Sequence, residues 1–210
     1  MEKLDLRKEY KHLYLPSAKK VEVVHVPKFQ FAMLDGEIEA GFGPSDSPGF
    51  QEGLMSLYGI SFTLKFTVKL RKENPIDYPV MALEGLWWVE GGEFDITRPE
   101  GWKWTLMMMQ PGFITTELFQ GALNQLRKKK GDLPVYSRLR LESFEEGLSV
   151  QTMHIGPYSE EPATLEKMKT FAADNGYIFQ GKHHEIYIGD PRKAAPEKLK
   201  TVLRYPVAKV

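Results

Sequence analysis

The sequence predicts an α+β fold built from two strand–helix–strand–strand units, and three observations carry that reading. Runs rich in Val, Phe, Trp and Met, alternating in places, mark strands; stretches of helical length with an apolar side separate them; and the order of these elements recurs along the 210 residues.

Residues 21–35, VEVVHVPKFQFAMLD, read as strand, with Pro27 marking an edge or a bulge. The loop GFGPSDSPG follows. From Phe50 to about Lys72 a helix places Leu54, Leu57, Tyr58, Ser61 and Lys65 on one side, with Leu64 and Val68 close by, and Asn74-Pro75 ends it. PVMALEGLWWV (79–89) and WKWTLMMMQ (102–110) are strands joined through Gly91-Gly92. An added helix, Thr115 to Lys130, turns Phe119, Ala122, Leu123 and Leu126 to one face.

The second unit runs through residues 138–155, with GLSVQTMHI as its clearest strand, then helix 163–175 stopped by Asn175-Gly176, then IYIGD and KTVLRYPVAKV as strands. "VEGG" beside "YIGD" and "MMMQP" beside "VLRYP" are the short matching pieces. The expectation is one domain over 1–210, its first repeat about 21–112 and its second about 113–210. Helices on one face of each sheet leave the other faces uncovered, and two sheets joined side by side would make of them one long concave surface.

Composition narrows the function classes. Twenty-eight basic and 28 acidic residues cancel, so nothing marks a general polyanion or nucleic-acid binder. The one basic run, Arg127-Lys128-Lys129-Lys130 before Gly131, is what a helix end looks like, with cations on its negative pole. Absent cysteine excludes disulfides, thiolate metal sites and cysteine nucleophiles, and fits a cytoplasmic location. No stretch approaches the roughly 20 apolar residues of a membrane span, and the mixed-charge N-terminus is no secretory signal.

The candidate site residues come from strand alternation. In KHHEIYIGD, His183, Glu185 and Tyr187 share one face while His184, Ile186 and Ile188 share the other, which looks like core. Glu185 therefore faces either water or a site, where desolvation would raise its pKa and suit it to pair with a cation or move a proton. Trp102, Trp104, Leu106 and Met108 share a face; such a row is ordinarily buried packing, and alternatively an aromatic wall for a flat or cationic ligand. Trp87 and Trp88 point to opposite faces. His154, ending a strand before a Gly-Pro turn, reads as a hydrogen-bonded structural histidine, with Tyr158 just beyond the turn. His183-His184 is not a metal motif, since adjacent strand residues cannot face one ion. GFGPSDSPG has neither the spacing nor the strand context of a phosphate-binding loop. No metal or organic cofactor is expected.

Together, FAMLDGEIEAGFGP, LYGISFTLKF, YPVMALEGLWW, WKWTLMMMQP, MHIGPYSEE and HHEIYIGDPRKAAPEKLKTVLRYPV resemble the GyrI-like small-molecule-binding family, from about residue 12 to the C-terminus, and within it the stand-alone members of about this length. The resemblance implies two pseudo-symmetric β-α-β-β (SHS2-type) repeats forming a ligand groove, as in multidrug-binding effector domains. It implies an amphipathic, often cationic aromatic ligand held by a buried glutamate and aromatic rings. Certain stand-alone members are hydrolases that open the cyclopropane of DNA-alkylating compounds and so detoxify them. Carried onto this sequence, the acidic residue is Glu185, with Tyr187 as its catalytic neighbour. The aromatic set is Trp87, Trp102 and Trp104, with Met108, Tyr158 and His154 as further ligand-binding candidates. About twenty residues precede the first strand, too few for a helix-turn-helix module, so the ligand domain alone is expected. The alternatives are a non-catalytic drug-sequestering or sensor module, and an interaction protein that uses its sheet face.

Overall fold

The computed structural model describes residues Met1–Val210. Its N-terminal part holds β1 (Glu2–Lys3), α1 (Leu6–Glu9), α2 (Lys11–Tyr14), β2 (Glu22–Val26) and β3 (Phe29–Glu37). The long helix α3 (Pro48–Lys69) precedes β4 (Ile76–Asp77), β5 (Leu83–Trp88) and β6 (Lys103–Gln110). After α4 (Thr116–Lys130) come β7 (Arg140–Phe144), β8 (Gly147–Ile155), α5 (Glu161–Asp174), β9 (Tyr177–Phe179), β10 (His183–Tyr187) and β11 (Lys200–Lys209).

The helices begin and end on local chemistry. Ser47 accepts from the Phe50 amide and Pro48 opens α3, while Thr115 accepts from the Leu118 amide to start α4. Gly131, at φ +90°, closes α4 behind its basic last turn.

One large antiparallel sheet carries the fold, in the order β2-β8-β11-β10-β5-β6-β3-β7, with β9 also paired to β11. The two units are visible in that order. β3, β6 and β5 lie on one side and β8, β11 and β10 on the other, meeting at the β5–β10 seam. There Gly85 lies opposite Glu185, Trp87 opposite His183 and Leu83 opposite Tyr187.

Two connections decide the shape. Only Pro27-Lys28 separates β2 from β3, and only Glu145-Glu146 separates β7 from β8, although these strands stand at opposite ends of the order. Three residue steps span at most about 11 Å, so the sheet must curl until its two edges meet. Pro27, which lacks the N–H a continuing strand would need, breaks the 21–35 run into two strands with different partners.

The inner face of the curled sheet is filled. Phe31, Met33, Leu86, Met107, Met109, Met153, Ile186 and Val202 pack there against Leu13 and Tyr14 of α2. A buried ionic network accompanies them. Tyr14 donates to Glu84 at 2.6 Å, His184 lies 3.1 Å from Glu84 and 3.0 Å from Glu146, and Arg204 reaches Glu146 at 3.1 Å and the Leu13 carbonyl at 2.7 Å. The expected open concave surface on this side is therefore replaced by a closed core, because residues 10–14 plug it.

The outer face carries the helices. α3 and α4 cover β3 and β6 over Leu34, Trp104, Leu106 and Met108; α5 covers β8 and β11 over Val150, Leu203 and Val207. Between α3 and α5 the β5–β10 seam is covered by the first turns of both helices, through Phe50 and Glu161, and by the 89–102 loop. No helix is long and apolar enough to cross a membrane.

Candidate functional site

Alternation along β10 sends His183, Glu185 and Tyr187 to the outer face, into the gap between α3 and α5. Gly85, directly opposite Glu185, is a floor onto which Trp87 and Tyr187 settle closely: a Cβ there would sit 2.9 Å from Trp87 Nε1 and 3.3 Å from the Tyr187 hydroxyl. Trp87 rises beside this floor, 2 % exposed, stacked on Phe50 of α3 at 5.4 Å and edge-on to Trp102 at 5.5 Å. Its indole N–H donates to Tyr187 Oη at 3.1 Å.

Glu185 is 8 % exposed and its Oε1 lies 3.0 Å from Nε2 of His183, which is completely buried. Facing it from the first turn of α5 is a second carboxyl, Glu161, 1 % exposed, whose Oε1 has no hydrogen-bond partner. Burial pushes the Glu161 pKa far above the carboxylate range, and the charge of Glu185 pushes the same way, with Thr201 opposing. Tyr187 is driven well above the usual phenol value by burial and by both glutamates, with Trp87 opposing. Tyr158, its ring 6.0 Å from that of Tyr187 and nearly perpendicular, is pushed up to about 12 by burial, then by Glu161 and Glu185. Both phenols thus stay protonated and able to donate.

At one end the 89–102 loop folds over the cluster: Phe94 stacks on His183 at 5.3 Å and lies tilted against Trp102 at 5.0 Å, Trp102 Nε1 donates to the Asp95 carbonyl at 3.2 Å, and Ile96 packs against the cores under both α3 and α5. At the other end Tyr158 is 39 % exposed, and Tyr58 of α3 is near enough to Asp190 and Arg192 to respond to their charges.

The structure brings Glu185, Tyr187, Trp87, Trp102 and Tyr158 into one cluster. It does not bring the other candidates there. Trp104 and Met108 are buried beneath α3, the Trp104 indole lodged against Gly36 and Gly53. His154 is committed to structure, with Nδ1 2.9 Å from Thr164 Oγ1 and Nε2 3.2 Å from the Pro157 carbonyl. Glu161 was not legible as a site residue, because an acid in the first turn of a helix is ordinary dipole pairing. His183 was not either, since a histidine pair on a strand signals nothing until its ring is seen on Glu185. Phe50 and Phe94 lie in segments without strand alternation.

A buried carboxylate, a second carboxyl that favours its proton, two phenol donors and an indole wall can hold a flat or cationic ligand and can move a proton to and from it.

The model of the GyrI-like small molecule binding domain matches residues 122–208. No curated protein matches the chain. A crystal structure of an uncharacterized conserved protein from Listeria innocua is 42 % identical, with a TM-score of 0.88 over 98 % of this chain and 100 % of that one. A hydrolase from Listeria innocua is 41 % identical, with a TM-score of 0.86 over 99 % and 100 %. The EcmrR C-terminal domain, 11 % identical with a TM-score of 0.55 over 91 % and 98 %, shares the fold.

Proposed function

Because the chain belongs to the GyrI-like small-molecule-binding family, we propose that it binds amphipathic aromatic compounds at the cluster over the β5–β10 seam. We further propose that it hydrolyses those bearing an electrophilic cyclopropane, detoxifying them in the cytoplasm. The observation that carries the reading is the pairing of Glu185 with Glu161 and Tyr187 in a buried cluster beside Trp87. The likeness to a relative described as a hydrolase supports catalysis over binding alone.

The chemistry is an addition of water to a strained ring. In a spiro-cyclopropyl cyclohexadienone, Glu185 takes a proton from water as the water oxygen bonds to a ring methylene. The cyclopropane C–C bond breaks, and its electron pair aromatises the dienone to a phenolate. Tyr187 and Tyr158 donate hydrogen bonds to the oxygen where that charge develops. Trp87 and Trp102 hold the flat ring. Exclusion of bulk water strengthens each of these interactions.

The test is incubation of the protein with spiro[2.5]octa-4,7-dien-6-one. Formation of 4-(2-hydroxyethyl)phenol faster than in buffer, slowed by the flat cation safranin, supports the reading. Quenching of tryptophan fluorescence by safranin with no acceleration of ring opening would leave the non-catalytic binding module.

A further inference from the structure

Two buried carboxyls, Glu185 and Glu161, lie close enough for each to feel the other's charge, and like charges so placed do not both ionise. Which of them keeps the proton is decided by their surroundings. Around Glu161 stand Thr201 of β11, Tyr187 of β10, Tyr158 and Glu185, and no cationic group acts on it. One of its oxygens has no partner at all. Glu185, by contrast, has a ring nitrogen of His183 3.0 Å from Oε1. That ring is immobilised. Phe94 of the 89–102 loop stacks on it nearly parallel, and Tyr205 of β11 lies 5.7 Å away. Its other nitrogen, Nδ1, is buried with no hydrogen-bond partner.

We infer that His183 is a positioning residue that divides the roles of the two glutamates, donating its Nε2–H to Glu185 so that Glu185 bears the charge and Glu161 keeps the proton. A carboxylate is stabilised by a donor and a carboxyl group tolerates burial without one, so the asymmetry of partners becomes an asymmetry of protonation. Glu185 then serves as the base for water. Glu161 gives its proton to the phenolate oxygen formed on ring opening and regains one from Glu185 through product exchange, so that one water is consumed per turnover. Phe94 makes the arrangement depend on the loop, since opening the loop frees the His183 ring. The division of labour rests on the proposed ring opening; the placement of the proton does not.

The experiment uses the full chain labelled with ¹³C at glutamate carboxyls and ¹⁵N at histidine. At pH 7 one carboxyl signal in the protonated position is expected, lost in Glu161→Gln and retained in Glu185→Gln, with the His183 proton on Nε2. In His183→Phe, which keeps an aromatic ring between Phe94 and Tyr205, the ionised share of Glu185 falls. The acid limb of spirodienone opening then moves up by about one pH unit, tenfold in rate on that limb, with KM within twofold of wild type. His183→Gln, which retains an amide donor, restores the limb and serves if the Phe variant does not fold. A protonated signal that disappears in Glu185→Gln, a proton on Nδ1, or a rate lowered equally at every pH would overturn the inference. Expected carboxyl signals without any ring opening would sink the hydrolase reading while leaving the proton placement supported.

Discussion

Trp87 and Tyr187 meet across the central seam, the indole N–H donating to the phenol oxygen at 3.1 Å. The bond occupies an acceptor site on Tyr187 and leaves its O–H free to point toward the carboxyls. It also fixes the indole plane against Phe50. Tyr187→Phe is therefore expected to slow spirodienone opening by about 10²-fold, as for loss of one oxyanion donor, while safranin affinity changes by less than threefold. Initial rates and fluorescence titrations on the same preparation check both. An equal loss in rate and affinity would place Tyr187 in binding alone.

Gly85 is the floor on which Trp87 and Tyr187 settle. A methyl group there would press on Trp87 Nε1 at 2.9 Å and on the Tyr187 hydroxyl. Gly85→Ala should destabilise the fold by roughly 1–3 kcal/mol, as overpacking does, and weaken safranin binding at least tenfold. Chemical denaturation with a dye titration measures the two effects. Binding unchanged in Gly85→Ala would mean that ligands do not depend on the placement of Trp87 and Tyr187.

The inner network ties stability to pH. Burial works against the charge of His184, but Glu146 and Glu84 beside it prevail and hold its pKa up at about 9 from 6.5. Its contribution is fully present below pH 6.5 and is lost as pH rises through 9. Burial likewise disfavours ionised Glu146, yet His184 and Arg204 hold it down at about 2 from 4.5. That contribution is present above pH 4.5 and is lost as pH falls toward 2. The melting temperature should plateau between these limits and decline between pH 6.5 and 9 by the equivalent of roughly 2–3 kcal/mol, at about 1.4 kcal/mol per pKa unit. His184→Gln should abolish that alkaline decline. A decline that persists in the variant would assign it to other groups.

His154 serves the turn that leads into α5, through Thr164 and the Pro157 carbonyl. His154→Gln is expected to reduce stability by about 1–2 kcal/mol, the worth of its hydrogen bonds, and to leave kcat and KM for the spirodienone within twofold. A large fall in kcat in a folded His154→Gln protein would bring His154 into the site.

The element order was legible because strand and helix periods are local properties. The side of the sheet on which Glu185 works was not. Alternation places His183, Glu185 and Tyr187 together, but assigning their face as inner or outer needs the curl. The curl depends on β2–β3 and β7–β8 being joined by two residues each while standing at opposite sheet edges. Nor does Trp102-x-Trp104 reveal that one indole joins the Trp87 cluster while the other is sunk beneath α3; that split follows from Gly36 and Gly53, which admit the Trp104 ring. Glu161 becomes a partner of Glu185 only when α5 docks across β8 and β11, a contact that no periodicity records.

The most direct test of the claim that Glu185 activates water is the rate of spiro[2.5]octa-4,7-dien-6-one opening by Glu185→Gln. The substitution keeps the size and a hydrogen-bonding side chain while removing the base. The expected result is a kcat lowered by about 10²–10⁴-fold, the usual contribution of a general base, in a protein that melts within a few degrees of wild type. A Glu185→Gln protein that opened the ring at the wild-type rate would contradict it.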